Sequence, residues 1–540
     1  MRDSFPEKLG TAAFIFIISV AAALRLWRLD HFSYGLDEIL QTYFVHGSWK
    51  FFWKSLKFDA VHPPLDYLIT RAIEAFGPAD WVRKIPAVLW GLGTIAALSV
   101  LIRRRAGITA RFFTALLLTF APFHVRYSQE LRPYSLGLFL LCLSMLLLDL
   151  LLARPSWPRL LGFFLACLAT MYALYMAALV LGIASFALLI DEAFSRQEEQ
   201  RVRARRFLRW SLLFGLALFV AYLPWLPVVL DAAKRSPPVP APPFTWERFT
   251  RFLSFFAFAP DDGQPLGRKG PLYLALVGVG LVIALRRRAL RFIAIWLIGG
   301  CVAIEALEHL HPHWYVTRHF LTAGVVMPAL ASLPLAWLWR KRTTDVLASV
   351  LATFPRALLA KRQAARALAI FLAALPLGAL TSRRATRLFA VSLITTLVLF
   401  DVRSLQVYFR EGRPDWRPLG NYLKRRPPAE RIFTENQYSQ LSVAFYTAGP
   451  GFLAREGRTT PEIYTLEREP IILAWSWKPN TTAWLVLAGP PPDERLRQWS
   501  KPFPSIAFPK AEGAILKRLD PALWGATVPL LPTGKTPVPP

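Results

Sequence analysis

The stretch Tyr127-Ser-Gln-Glu-Leu-Arg-Pro-Tyr134 separates two long apolar segments, residues 112–123 and 134–152. Both segments have the composition of membrane-spanning helices. A carboxylate, a guanidinium group and two phenols therefore lie at the turn between two predicted spans. Ionisable groups are costly at such a place and usually face a cavity or a polar ligand. The stretch thus predicts a functional turn at one face of a helical membrane protein.

Apolar runs of this kind recur along the chain, which has 540 residues and is 54% hydrophobic. Continuous runs of roughly 17–25 apolar residues predict a polytopic α-helical membrane protein and exclude a β-barrel, whose strands alternate. Two short stretches within 344–381 form either an amphipathic hairpin or two further spans, for a total of about 11–13. With the arginine clusters in the cytoplasm, the predicted spans are residues 9–26, 83–102, 110–124, 134–152, 158–173, 174–190, 208–228, 271–285, 291–308, 319–339 and 387–403.

The same orientation assigns several connecting segments to the extracytoplasmic side. Arg25 and Arg28 run against the positive-inside rule, since they fall at the outer end of the first span, and we interpret them as interfacial or functional. Residues 64–77 are apolar but too short to cross, so they predict a helix that lies in or re-enters the outer leaflet. The predicted outer segments are residues 27–82, 125–133, 229–270, 309–318 and 404–540.

The composition changes near residue 410 to that of a soluble domain. Short apolar segments typical of buried strands alternate there with helical patterns, which predicts an extracytoplasmic α/β domain over residues 410–520. This domain follows a transmembrane core of residues 1–409 and precedes a Pro-rich tail of residues 521–540. The predicted strands are residues 431–435, 470–474 and 483–488, and the predicted helices are residues 416–425, 437–447 and 493–500.

The chain is strongly basic, with a net charge of +29 from 64 Lys and Arg against 35 Asp and Glu. This balance fits positive-inside topology and attraction to anionic lipid. Nucleic-acid binding is not expected, because the arginine clusters lie at helix ends and form no separate basic domain. The cysteines Cys142, Cys167 and Cys301 lie inside apolar runs without disulfide or metal-site spacing, which indicates packing roles.

Motifs spread from about residue 25 to residue 450 resemble those of one enzyme family. His62-Pro-Pro-Leu-Asp-Tyr-Leu68, followed by Val82-Arg-Lys-Ile-Pro-Ala-Val-Leu-Trp-Gly-Leu92, resembles the signature of glycosyltransferases that use dolichyl- or undecaprenyl-phosphate sugars. These enzymes have the GT-C fold and include protein O-mannosyltransferases and lipid A aminoarabinose transferases. Residues 127–134 are similar to the second outer loop of the bacterial members. Further similar motifs are Asp37-Glu38 in the first outer loop, Arg318-His-Phe-Leu321, Asp415-Trp-Arg417 and Asn421-Tyr-Leu423.

One position departs from the family pattern. Some members place a Lys before the diproline, where this chain has His62. If this position contacts the donor phosphate, its charge in this chain depends on pH.

The resemblance implies a sugar donor on a polyprenyl phosphate, with the phosphate at the outer interface and the lipid tail in the bilayer. Transfer with inversion needs a base for the acceptor proton, cations for the departing phosphate, and a cavity that aligns the attacking oxygen. Asp37 is the predicted base and Glu38 the runner-up. Adjacent helical residues point about 100° apart, so only one of the two carboxylates can face a given substrate atom. The alternative for Asp37 is that it caps the following helix.

Arg132 is the predicted clamp for the donor phosphate, because a guanidinium group matches phosphate oxygens bidentately. Glu130 orients Arg132 or binds a metal or the acceptor, and the alternative is a local Glu130–Arg132 pair that closes the turn. The other predicted substrate-binding residues, each with an ordinary interfacial role as the alternative, are His62, Tyr127, Tyr134, Tyr315, Arg318 and His319.

No metal site is predicted. The spacing of His311 and His313 suits no standard helical zinc site, even with Glu305 or Glu308 as a third ligand. A divalent cation held by Asp37 and Glu130 stays open as a cofactor. No Gly-rich phosphate loop or nucleotide-sugar motif is evident, which favours a lipid-linked donor.

These features predict an integral membrane glycosyltransferase of the bacterial inner membrane. It would transfer one sugar from a polyprenyl phosphate to a lipid, glycan or protein acceptor on the extracytoplasmic side, with the acceptor left open. One alternative is a transporter or flippase for a polyprenyl-linked sugar, which needs the same headgroup site but no base. The other is a non-catalytic assembly protein whose outer domain binds glycans. Charges clustered at one interface, without an internal repeat, favour the enzyme.

Overall fold

The chain divides into two compact units in a computed structural model. The first unit comprises Met1–Leu29, Leu56–Ile69 and Trp81–Glu411, and the second comprises Asp30–Ser55, Thr70–Asp80 and Gly412–Pro540. The structure describes residues 7–77, 79–235, 245, 252, 255–256, 269–310, 317–340, 383–411, 415–426, 431–434, 437–448, 463–465, 483–488, 504–508 and 514–519.

The described part of the chain is mostly helical. Two short 3₁₀ helices, Glu74–Phe76 and Thr317–Phe320, accompany the α-helices. The α-helices are Glu7–Leu26, Leu36–Val45, Trp49–Asp59, Leu65–Ile73, Asp80–Ala106, Ile108–Phe120, Pro122–Tyr127, Tyr134–Ala153, Trp157–Ala173, Tyr175–Ala193, Glu198–Tyr222, Leu226–Arg235, Lys269–Arg286, Arg288–Leu310, Leu321–Gly324, Met327–Arg340, Arg383–Glu411, Arg417–Lys424 and Gln437–Ala448.

Each predicted span coincides with an apolar helix or helix pair. Among the described residues, six segments are long and apolar enough to cross a membrane: Asp80–Ala106, Tyr134–Ala153, Tyr175–Ala193, Arg288–Leu307, Arg318–Arg340 and Arg384–Arg410. The pair Glu198–Tyr222 and Leu226–Arg235, bent by 72°, forms a seventh. Shorter apolar helices occupy the remaining predicted spans at Gly10–Leu26, Ile108–Phe120, Trp157–Ala173 and Gly270–Arg286. The protein is therefore a polytopic helical membrane protein, and the stretch 344–381 lies outside the described residues.

The predicted span 110–124 is divided into two helices. Its first part ends at Phe120, and a separate helix runs over Pro122–Tyr127. Pro122 causes the break, because proline removes a backbone donor and its ring clashes with the preceding turn of a continuous helix. The short helix carries the chain into the turn at residues 128–133.

The spans differ in how much lipid they face. In the segment Arg318–Arg340, 94% of the most apolar stretch is buried inside the protein, whereas in Arg384–Arg410 only 28% of that stretch is buried. The former is therefore a central helix, and the latter lies at the periphery. Small residues allow neighbours to approach the central helix closely, as at Gly280, which lies on the helix Lys269–Arg286 and against the backbone of Leu330.

We expect Gly280→Ala to destabilise the protein by about 1–3 kcal/mol, because its Cβ would lie 1.9 Å from the carbonyl oxygen of Leu330 and force the two helices apart. Gly278 on the same helix is exposed, and a Cβ there would have no neighbour within 4 Å. Gly278→Ala is therefore the matched control. Thermal unfolding in detergent should show a lower midpoint for Gly280→Ala alone, and equal midpoints would contradict this packing.

Arg25 is fully buried, so the interfacial interpretation of this residue is wrong. Its guanidinium group donates to the carbonyl oxygens of Leu118 at 3.1 Å and Thr119 at 3.2 Å, and lies 2.8 Å from His124 Nδ1. The last carbonyls of a helix have no partner within that helix. Arg25 therefore caps the end of the helix Ile108–Phe120. Arg28 donates to the carbonyl of Phe409 at 2.9 Å.

The second unit contains a five-stranded mixed sheet. Its strands are β1 Arg431–Thr434, β2 Ile463–Thr465, β3 Ala483–Leu487, β4 Ser505–Phe508 and β5 Ala514–Leu519. Their order in the sheet is β2-β1-β3-β5-β4. The pairs β1–β2 and β1–β3 are parallel, and β3–β5 and β4–β5 are antiparallel. The predicted strands at 431–435 and 483–488 are present, whereas 470–474 and the predicted helix 493–500 lie outside the described residues.

Residues that follow the first span belong to this second unit. The backbone N–H of Tyr34 donates to the Tyr446 hydroxyl at 2.6 Å, and Arg417 donates to the carbonyl of Asp30 at 2.7 Å. The N–H of Trp416 donates to Ser33 Oγ at 3.3 Å. These contacts hold the entry to the helix Leu36–Val45 against the C-terminal part of the chain.

Candidate active site

Hydrogen bonds from distant parts of the first unit fix the turn at residues 128–133. The Gln129 amide donates to the carbonyls of Arg25 at 2.9 Å and Trp27 at 3.0 Å, and its oxygen accepts from the Tyr408 hydroxyl at 3.1 Å. Ser128 Oγ donates to the carbonyl of His124 at 2.6 Å. The turn is therefore anchored on the first and last described spans of this unit.

Tyr134, the first residue of the helix that follows the turn, lies at the centre of an aromatic and cationic cluster. Its ring contacts the ring of His62 edge to face, with centroids 5.7 Å apart, and the ring of Tyr127 at 5.3 Å. The Arg318 guanidinium lies 5.8 Å from the centroid of the same ring. Residues far apart in sequence thus meet at one place, which we call the His62 cluster (His62, Tyr67, Tyr127, Arg132, Tyr134, Arg318 and His319).

Most side chains of the His62 cluster are withdrawn from solvent. His62 is 5% exposed and Arg132 is 8% exposed. Neither ring nitrogen of His62 has a hydrogen-bond partner among the described residues. Because a buried polar group without a partner is costly, His62 is available for a ligand that offers both a donor and an acceptor, or an anion.

Burial and, after it, the charges of the cluster control the protonation of His62. Burial lowers the pKa of His62 well below its usual 6.5, and the positive charges of Arg132, Arg318 and His319 lower it further. The imidazole is therefore uncharged at neutral pH. An anion bound among these cations would oppose the shift.

Tyr67 is a member of the cluster that the sequence prediction missed. Its hydroxyl pKa is raised mainly by burial, while Arg132 opposes this shift and Asp59 and Asp66 add to it. Burial likewise raises the pKa of Tyr127, with a further contribution from Glu130. Both phenols therefore stay protonated and can donate hydrogen bonds. The only sequence signal for Tyr67 is its place within the motif at residues 62–68.

Glu130 has an ion-pair partner within its own segment. Arg126 Nε lies 3.1 Å from Glu130 Oε1, one helical turn away along the chain. The backbone N–H of Arg132 also donates to the carbonyl of Glu130 at 2.9 Å, which closes the turn. Glu130 therefore has an ion-pair partner, Arg126, that the sequence prediction did not name.

The predicted acidic pair lies in the second unit, at the start of the helix Leu36–Val45. Gly35 is the N-cap, so the alternative role of Asp37 as the cap is wrong. Glu38 is 2% exposed, and its Oε2 accepts from the N–H of Gly35 at 2.9 Å. Asp37 is only half-buried and lies in the first turn, where the helix dipole favours a carboxylate.

The predicted substrate-binding residue Tyr315 lies outside the part of the chain that the structure describes, as do His311 and His313, for which no metal site is predicted. Among the residues it does describe, no group of three His, Cys, Asp or Glu side chains is arranged to hold a metal ion.

Arg83 and Lys84, within the motif at 82–92, are 4% and 1% exposed. Such burial of cations is unusual at the start of a span and was not predicted.

Comparisons with known proteins agree with this architecture. The family model for dolichyl-phosphate-mannose-protein mannosyltransferase matches residues 61–225, which include His62, Tyr67, Arg132 and Tyr134. No curated protein sequence matches the chain significantly. ArnT from Cupriavidus metallidurans in the apo state superposes with a TM-score of 0.54 at 16% identity, over 94% of this chain and 98% of that one.

A second structure of the same protein, ArnT from Cupriavidus metallidurans bound to undecaprenyl phosphate, gives a TM-score of 0.52 at 15% identity. This match covers 93% of the present chain and 97% of that chain. The agreement over nearly the whole of both chains shows a shared fold. The chain therefore has the GT-C fold, and the family match confirms the resemblance to polyprenyl-phosphate-sugar-dependent membrane glycosyltransferases that its motifs indicate.

Proposed function

We propose that this membrane glycosyltransferase takes its sugar from a polyprenyl phosphate, transfers it with inversion, and binds the donor phosphate in the His62 cluster. The observation that carries the proposal is the convergence of Arg132, Arg318 and an unpartnered, buried His62. A phosphate bound beside these guanidinium groups would give the ring nitrogens of His62 the hydrogen-bond partner that they lack.

The chemistry of the cluster suits a phosphate group. Guanidinium groups donate to phosphate oxygens in pairs, and the protonated phenols of Tyr67 and Tyr127 supply neutral donors. Tyr134 and Arg318 each begin a predicted span, so the phosphate would lie at the membrane interface with its lipid tail among the helices. The undecaprenyl phosphate in one of the similar structures supports this assignment.

The proposed reaction is a displacement at the anomeric carbon of the sugar. The acceptor oxygen forms a bond to this carbon while the bond from the carbon to the phosphate oxygen breaks, and the electron pair of that bond stays with the phosphate. The departing polyprenyl phosphate gains negative charge, which Arg132 and Arg318 would stabilise. The acceptor proton passes to a base, for which we propose Asp37.

Asp37 is preferred over Glu38 because of what each carboxylate already does. Glu38 is buried and accepts a backbone hydrogen bond at the start of its helix, whereas Asp37 is more accessible. Taking up a proton would disturb the helix start that the Glu38 carboxylate stabilises. We likewise propose the predicted substrate-binding roles for the remaining predicted residues.

We further propose that the protein lies in a bacterial inner membrane with the His62 cluster and the residues after 410 on the extracytoplasmic side. The opposite ends of the spans carry Arg103, Arg104 and Arg105, the basic stretch 201–209, and Arg286, Arg287 and Arg288. Such clusters mark the cytoplasmic side of membrane proteins. Labelling of single introduced cysteines in intact cells would test this orientation.

Binding of polyprenyl phosphate should depend on the charge of His62. A bound phosphate raises the pKa of His62 from its lowered value, so the complex holds more protons than the free protein and affinity rises as pH falls. As the pH falls below the pKa that His62 has in the complex, we expect wild-type affinity to increase relative to that of His62→Gln by up to about tenfold per pH unit. Protonation of the phosphate group itself affects the affinity of both proteins in the same way and cancels in their ratio.

Titration of purified protein with undecaprenyl phosphate at several pH values, followed by intrinsic tryptophan fluorescence, measures this difference. A constant ratio of the two affinities across the range would remove His62 from the phosphate site. Failure of the wild type to bind the lipid at all would remove the donor-site proposal. The family match supports sugar transfer over the alternative of a flippase, because the matching family model describes a mannosyltransferase.

A further inference from the structure

A second polar cavity lies at the other end of the first unit's helices. It has a volume of about 430 Å³, and its walls come from the ends of the helices Asp80–Ala106, Tyr134–Ala153 and Tyr175–Ala193 and the start of Arg288–Leu310. Asp149 in this wall is 15 residues beyond Tyr134 on one helix, which separates the cavity from the His62 cluster by about 22 Å. The cavity is therefore a separate feature, and none of the proposed chemistry uses it.

Ion pairs fix one wall of this cavity. Asp149, which is 3% exposed, pairs with both Arg104 and Arg105, and Arg105 also pairs with Glu192. These pairs tie the ends of three helices together. Because their charges compensate one another, they give the cavity a fixed shape but leave little net charge for a ligand.

Two further groups in the cavity wall have hydrogen-bonding capacity that no described residue uses. Asp191 is 6% exposed; its Oδ1 accepts from Arg291 at 3.1 Å, but its Oδ2 has no hydrogen-bond partner among the described residues. Arg196 is exposed and makes no ion pair or hydrogen bond with any part of the chain that is described. A buried carboxylate oxygen without a donor is costly, so a ligand that brings a donor would be stabilised there.

We propose that this cavity binds a phosphoethanolamine group, with its primary ammonium on Asp191 and its phosphate on Arg196. The pairing follows from two groups in one cavity, a carboxylate oxygen that lacks a donor and a guanidinium group that lacks an acceptor. A purely anionic group would bring no donor to the free oxygen of Asp191. Leu152, Ala153 and Ala289 in the same wall offer an apolar surface for the adjoining part of the ligand. The volume is within the range of small-molecule sites.

The phosphoethanolamine group could belong to a membrane lipid or to a soluble ester, so the probes are chosen to distinguish these sources. Phosphatidylethanolamine, phosphatidylcholine, phosphatidylglycerol and soluble glycerophosphoethanolamine are each added to the purified full-length protein, and retained ligand is measured by native mass spectrometry. Phosphatidylcholine keeps the charges but its quaternary ammonium cannot donate a hydrogen bond. Phosphatidylglycerol keeps the phosphate and lacks the ammonium.

We expect the ethanolamine ligand to be retained roughly tenfold or more over phosphatidylcholine and phosphatidylglycerol. Binding of the lipid alone would identify a lipid site, and equal binding of glycerophosphoethanolamine would identify a soluble ligand; either result supports the headgroup chemistry. Asp191→Asn should remove the preference over phosphatidylcholine, and Arg196→Ala should weaken all phosphate-bearing probes.

Exposed residues outside the cavity provide the controls. Asp231→Asn and Arg154→Ala repeat the two substitutions at exposed positions that do not line it, and they should behave as wild type. Equal retention of all three lipids by the wild type would overturn the proposal. So would an undiminished ethanolamine preference in Asp191→Asn together with undiminished binding of every phosphate-bearing probe in Arg196→Ala. Because Arg196 is exposed, its variant is expected to fold even if Asp191→Asn does not.

Discussion

Replacing Asp37 by Asn is expected to lower the turnover of sugar transfer by about 10²–10⁴-fold, the usual contribution of a general base. Asn has the same shape as Asp but cannot accept the acceptor's proton at neutral pH. The helix start should survive, because Gly35 is its N-cap and Glu38 supplies the capping carboxylate. The measurement is the single-turnover rate of the purified variant, with binding of undecaprenyl phosphate determined beside it.

Glu38→Gln is the matched control for this prediction. Its side-chain oxygen can still accept from the N–H of Gly35, so the fold should be kept and turnover should stay within about tenfold of wild type. An inactive Glu38→Gln beside an active Asp37→Asn would transfer the role of base to Glu38. If both variants were fully active, neither carboxylate would be the base.

Replacing Arg132 by Gln should reduce turnover by about 10²–10³-fold, because one cation that stabilises the departing phosphate is lost. The same variant should lose most of the rise in thermal unfolding midpoint that undecaprenyl phosphate gives the wild type, since a ligand stabilises the state that binds it. Arg132 stands among other cations, as the lowered pKa of His62 shows, so its removal also relieves repulsion in the empty protein.

Arg154→Gln is the control, because Arg154 is exposed and lies beyond the far end of the helix that begins at Tyr134. It should keep both turnover and the lipid-induced rise in unfolding midpoint. A purely structural role for Arg132 would instead lower the midpoint without lipid and leave the lipid-induced rise intact. That pattern would remove Arg132 from the phosphate site.

The spans could be predicted well because few backbone structures are stable in the bilayer. In the bilayer each backbone group must be satisfied within the segment, so a long apolar run becomes a helix whatever its neighbours are. The divided span at Pro122 and the burial of Arg25 were not predictable in this way. Both depend on which helix end meets which side chain, and Arg25 meets Leu118 and Thr119 only in the folded protein.

The sheet of the second unit shows the same limit. The strands β1 and β3 lie in its middle, are largely buried and read as apolar runs. The strand β4 is at an edge and exposed, β2 has only three residues, and β5 carries Lys517 and Arg518 among its apolar residues. Edge and short strands lack the continuous apolar pattern on which the prediction depends.

For the candidate site, the predicted topology assigned suitable residue types to one side of the membrane, and the fold brought some of them together. His62, Arg132, Arg318 and His319 meet because the segments that carry them all approach the start of the helix Tyr134–Ala153. Tyr67 was missed, since an interfacial tyrosine is ordinary in a membrane protein. The uncharged state of His62 also needs three-dimensional neighbours, because burial and cations from distant segments cause it.

The central claim is that the chain transfers a sugar from a polyprenyl phosphate. Its most direct test is to incubate the purified protein with a panel of polyprenyl-phosphate sugars and cell-envelope extract as the source of acceptor, and to follow released polyprenyl phosphate by mass spectrometry. The account predicts release from at least one donor by the wild type, with Asp37→Asn and Arg132→Gln reduced to near background. No release from any donor, together with movement of the intact donor across proteoliposome membranes, would contradict it.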